Sequence, residues 1–135
     1  MLYAILCYNS EAAVGAWSKQ YHDETMARLH VVNDKLAKQG RLGPVARLLP
    51  TTAATTLRKS RGENLVIDGP FAETKEQLLG FYVVDCATQE EALEAARQIG
   101  GACTSRALEV RPISWFQLTD SIDHSKAAVR VEPKP

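Results

Sequence analysis

The sequence has no surplus of either charge: sixteen Lys and Arg balance sixteen Asp and Glu among 135 residues. A dedicated nucleic-acid binder carries a basic surplus to neutralise phosphates, so that class is set aside. The same balance argues against a membrane-surface protein. Long apolar runs are also missing. The longest near the start, MLYAILCY, is too short to cross a bilayer and has neither the basic leader nor the cleavage pattern of a signal peptide. A cytoplasmic location is the resulting expectation, with neither nucleic acid nor membrane among the partners. Cysteine is scarce. Cys7, Cys86 and Cys103 are an odd number without CxxC spacing, which speaks against a disulfide framework or a zinc knuckle. Cys7 and Cys86 lie in or beside apolar strand candidates and read as buried free thiols. No Walker loop, dinucleotide fingerprint or serine-nucleophile elbow is present, so no cofactor is expected. His22 and His30 stand two turns apart on one helix, about 12 Å along its axis, too far for one metal to bridge. No metal site is expected.

What is present suits a soluble domain: apolar residues make up 45% and charged residues 24%. Leu2 to Tyr8 reads as a strand apolar on both faces. Asn9 to Ala16 is a connection without a clear pattern. A long helix follows, from about Trp17 to Gln39. Its stripe is Tyr21, Thr25, Leu29, Val32 and Leu36, and Gly40 is its stop. Leu42 to Leu49 is extended around Pro44. Thr55 to Ile67 reads as a hairpin turning at Gly62. Leu78 to Asp85 is a second strand apolar on both faces. Thr88 and Glu91 form a capping-box pattern, starting a helix from about Gln89 to Ile99 that Gly100 and Gly101 end. Arg106 to Ile113 is the last strand, with Glu109 and Arg111 on one face and Leu108 and Val110 on the other. Residues 1–118 form one domain on this reading, and 119–135 a polar tail. The order predicts an α+β fold in which two helices cover one sheet face. The other face would stay apolar and bare, which a symmetric dimer would relieve.

The stretch DGPFAETKEQLLGFYVVD, from Asp68 to Asp85, closely resembles the signature of the DGPF branch of the YCII-related proteins. The likeness extends to MLYAILCYN, the long helix, TLRKSRGENLVI, EALEAAR and LEVRPI, spanning about residues 1 to 113. It implies a ferredoxin-like sandwich that pairs into a dimeric α/β barrel. It further implies a link to extracytoplasmic-function sigma factors in some members. In the wider group a His–Asp pair is proposed as catalytic, with the histidine in the first helix, and one relative is a dehydrochlorinase.

These residues allow two functions. One is a small cofactor-free enzyme holding a small organic substrate between the sheet and the long helix. His30 or His22 would move a proton in a lyase- or isomerase-like step, with Asp68 as the orienting carboxylate. Gly69, Pro70, Phe71, Glu73 and Lys75 would line the substrate's path, Lys75 suiting an anion. The other is a regulatory module that binds a ligand or partner without chemistry. Each residue also has a plainer role. Asp68 suits an Asx-turn over the Gly69–Pro70 bend, and Phe71 a core plug. Lys75 suits a solvated cation, and Thr74 with Gln77 a short helix cap. His30 and Asp34 are spaced to pair along the helix.

Overall fold

The computed structural model describes residues 1–122. The part of the tail beyond them, with His124, lies outside the described residues. Strands β1 (Leu2–Asn9), β2 (Leu42–Arg47), β5 (Gln77–Asp85) and β6 (Ala107–Pro112) form one sheet in the order β2-β5-β1-β6. Every pairing in it is antiparallel. Helices α2 (Lys19–Lys38) and α3 (Gln89–Cys103) supply the two crossovers. That order is consistent with a ferredoxin-like sandwich. A hairpin, β3 (Thr55–Ser60) and β4 (Glu63–Asp68), is inserted before β5 and pairs only with itself. The connection after β1 contains a short helix, α1 (Glu11–Gly15), where the sequence had shown no pattern.

Local chemistry sets the helix ends. Ser18 caps α2 by accepting the Tyr21 N–H at 3.1 Å. At the other end Gly40 takes φ +70, with Arg41 N–H donating to the Leu36 carbonyl and Gly40 N–H to Ala37, a Schellman closure. Thr88 caps α3 through the Glu91 N–H, while the Glu91 carboxylate returns to the Ala87 N–H. The predicted stop at Gly100 and Gly101 does not occur. The helix continues to Cys103 and ends on Thr104, which takes the left-handed conformation at φ 52. Each helical glycine costs about 1 kcal/mol against alanine. Burying Ala102 and packing Cys103 against the core offset that cost.

The core is one cluster on one sheet face. Tyr3, Ile5, Tyr82 and Val84 from the strands meet Leu36 of α2 and Ala92, Ala95, Ala96 and Ile99 of α3. The small residues of α3 let it lie close on the sheet. The opposite face follows from strand alternation: Leu6 pairs with Phe81 and Ala4 with Val83, and Leu6 and Phe81 remain part-exposed. Both long helices pack on the other side. None of the three helices is long and apolar enough to cross a membrane, among the described residues.

Candidate functional site

Between the sheet and α2 lies a cavity of about 150 Å³, where the sequence reading had placed a substrate pocket. Three local features shape it. A bulge in the β1–β5 pairing sets Cys7 opposite Gly80 and Tyr8 opposite Leu78, which leaves Leu79 of β5 as the extra residue beside the cavity. Gly80 of β5 lies opposite Arg47 of β2 and leaves the wall without a side chain. Helix α1 brings Val14, and the segment after it Trp17, over the opening. This lid is anchored by Glu11. Its N–H donates to Gln77 Oε1 at 2.9 Å, and its carboxylate accepts from the Thr51 N–H and hydroxyl at 2.6 and 2.7 Å. Trp17 packs edge-on against Tyr21, with ring centroids 4.9 Å apart.

The α2 wall presents Met26, Leu29, His30 and Asn33. His30 is exposed where it borders the cavity and makes no hydrogen bond or ion pair with another described residue. The Tyr82 hydroxyl donates to Asn33 Oδ1 at 2.8 Å, and the Asn33 amide N–H groups have no partner among the described residues. Arg47 stands at the mouth. Its Nη1 contacts Met26 Sδ at 3.3 Å and His22 Nε2 at 3.5 Å. The second contact is long for a hydrogen bond. Because guanidinium only donates, a hydrogen bond there would need a lone pair on Nε2. His22 Nδ1 lies 3.6 Å from Asp23 Oδ1, although adjacent helix positions diverge.

Cys7 is a poor nucleophile here. Burial, reinforced by neighbouring Cys103, pushes Cys7 up to about 12. Burial likewise pushes the Tyr82 phenol up to about 12. Cys103 Sγ sits 2.8 Å from Ser105 Oγ and donates to the Ile99 carbonyl at 3.1 Å. Cys7 and Tyr82 are thus held protonated by the fold. Their stabilising contribution is complete below their ordinary values of 9.0 and 10.0 and is lost as pH rises toward 12. Denaturant midpoints measured from pH 8 to 11 are expected to fall most steeply above pH 9. Tyr82→Phe should flatten that decline, and an unchanged profile would contradict the assignment.

The residues singled out from the sequence divide into two groups. His30 lines the cavity and His22 stands at its mouth behind Arg47. Asp68, Gly69, Pro70, Phe71, Glu73 and Lys75 lie at the foot of the hairpin and on the link to β5, and none of them lines the cavity. Asp68 makes no side-chain bond to another described residue, so no bond joins it to either histidine within the chain. Gly69 takes φ +101 and is fixed by its N–H to the Ala54 carbonyl and by Thr56 Oγ1 donating to its own carbonyl. The bend is thus tied to the hairpin's base by backbone bonds rather than by the Asx-turn expected of Asp68. Phe71 is 76% exposed, so it plugs no core of its own chain. Thr74 and Gln77 cap no helix; the Gln77 amide instead donates to the Thr74 carbonyl at 2.6 Å. His30 and Asp34 do not pair.

A model of the YCII-related domain matches residues 1–117. The chain belongs to this family. An uncharacterised protein of Rhizobium meliloti (strain 1021) is 56% identical over 118 residues, 87% of this chain and 95% of that protein. Among solved structures, 5-chloro-2-hydroxyhydroquinone dehydrochlorinase from Burkholderia phenoliruptrix AC1100, in complex with 2,5-dihydroxybenzoquinone, is similar at 13% identity and a TM-score of 0.49. The match covers 84% of this chain and 94% of that one. Arg47, Asn33 and Gly80 were missed in the sequence. A signal for Arg47 was there: on an extended strand it shares a face with Val45, and that parity turns it toward the helices.

Proposed function

We propose that this YCII-related protein, of the DGPF type by its turn sequence, is a small enzyme without a resident cofactor. It binds a small organic molecule between its sheet and α2 and moves a proton in a lyase- or isomerase-like step. One observation carries this reading: solvent-accessible His30 borders a mainly apolar cavity and makes no hydrogen bond or ion pair with another described residue. A proton-transfer group needs that direct access to substrate. The Asp68 pairing read from the sequence requires a second copy or a movement of the hairpin. Thermal-shift screening of small organic acids and ketones is the first test, because tight binding raises stability. Each hit is then followed for turnover and for proton exchange in D₂O. Hits that bind without exchange or turnover would replace the enzyme with a sensor.

The open sheet face is covered by a second copy in this reading, since Leu6 and Phe81 pair on it without a helix above them. Sedimentation at micromolar protein is expected to return a dimer, and Leu6→Glu a monomer. A monomeric wild type would remove this part of the proposal. The hairpin favours a second reading, a partner-binding module of the kind linked to sigma-factor signalling. Leu57, Leu65, Val66 and Ile67 are all exposed on it, with Val66 at 71%. Such a module would keep its partner when the cavity is blocked.

A further inference from the structure

Arg47 lines the cavity, and no Asp or Glu does. Its guanidinium has no carboxylate partner among the described residues. Its recorded contacts are a thioether sulfur at 3.3 Å and an imidazole nitrogen at 3.5 Å, both weak acceptors. Arg41 and Arg97 pair with glutamates, and Arg28 donates to the Ala102 carbonyl and the Thr25 hydroxyl; Arg58, Arg61, Arg106 and Arg111 also lack a carboxylate partner among the described residues, but none of them lines the cavity. A planar fork with five donors and no anion to receive them suits a carboxylate held by two parallel bonds. The register directs this fork: Arg47 lies opposite Gly80, on the sheet face that α2 covers.

Behind the mouth the walls turn apolar, with Met26, Leu29, Leu79 and Ile99. A volume of about 150 Å³ matches that of a cavity able to take a benzene-sized ring. We infer that the cavity takes the anion of a monocyclic, mostly apolar carboxylic acid, with its carboxylate on Arg47 and its ring against Leu29 and Leu79. The inference rests on the cavity being a ligand site, and it names the charge and size of the ligand. The Asn33 amide, with its donors free, then receives a carbonyl or hydroxyl at the inner end of the ring.

The test compares benzoate with benzamide, which share a shape and differ in charge. Trp17 reports binding from the cavity wall by its fluorescence. Trp115, which is 75% exposed, is changed to Phe to silence the second indole. Benzoate is expected to bind about ten- to a hundredfold more tightly than benzamide, the range of a charge-assisted bond. Arg47→Gln should abolish that preference and leave benzamide affinity unchanged, and Arg47→Lys should restore part of it. Rising salt should weaken benzoate alone. Equal binding of the two probes, or a preference that survives Arg47→Gln, would overturn the anion assignment while leaving the cavity a ligand site. If neither probe binds, the cavity reading falls and the inference with it.

Discussion

His30→Gln is expected to slow proton exchange on a bound substrate by about 10²- to 10⁴-fold while changing ligand affinity by less than about threefold. That range is the usual contribution of a positioned acid–base group. Affinity should survive because the carboxylate end of the ligand is held by Arg47 and the ring by apolar walls, neither of which His30 supports. The measurement is a split: kcat falls and KM stays. A fall in kcat/KM that resides wholly in KM would make His30 a binding residue and end the proton-transfer proposal.

His22 and Asp68 sharpen the same test. His22 meets the cavity only through Arg47, so His22→Gln should act mainly on binding, by loosening the contact on Nη1. Asp68→Asn separates two arrangements. If a second copy brings Asp68 to His30, its loss should lower kcat nearly as much as the loss of His30, and the double variant should be no slower than either single one. If Asp68 only ends the hairpin, kcat stays.

The sequence was most legible where structure is local. The stripe of the long helix, its glycine stop, the hairpin at Gly62 and the succession of strands and helices along the chain all follow from periodicity and turn chemistry. The end of α3 was misjudged because two glycines speak locally for a stop, while the burial of Ala102 beyond them is a tertiary fact. The site was half legible. That a pocket lies under the long helix follows from the fold class, and His30 from its residue type. Arg47 and Gly80 reach the site through the pairing of β2 with β5, which are far apart in sequence. The motif around Asp68 marks a bend whose shape can be read locally but whose distance from α2 cannot. A four-residue signature says that a conformation recurs; it does not say what the conformation faces.

The motif's own glycine yields the largest structural effect. Gly80→Ala is expected to destabilise the protein by about 1–3 kcal/mol, the usual cost of forcing a methyl into packed space. A Cβ at Gly80 would come 2.5 Å from the Ala46 carbonyl oxygen and 3.3 Å from the Arg47 Cα. Both are backbone atoms of β2, so relief requires moving the strand rather than turning a side chain. The entropy gained by restricting the unfolded chain offsets only about 0.4–1 kcal/mol. Gly101→Ala is the matched control. It lies inside α3 with nothing within 4 Å of an added Cβ, so it should stabilise by about 0.5–1 kcal/mol. Opposite signs for the two in denaturant unfolding would establish that contact, not glycine content, decides. The consequence reaches the ligand. Arg47 is the register partner of Gly80, so a displaced β2 carries the guanidinium away from the mouth. Gly80→Ala should therefore weaken benzoate more than benzamide even at temperatures where the variant stays folded. If it lost stability but kept the full benzoate preference, β2 would have yielded elsewhere, and the close approach at Gly80 would be scaffolding alone.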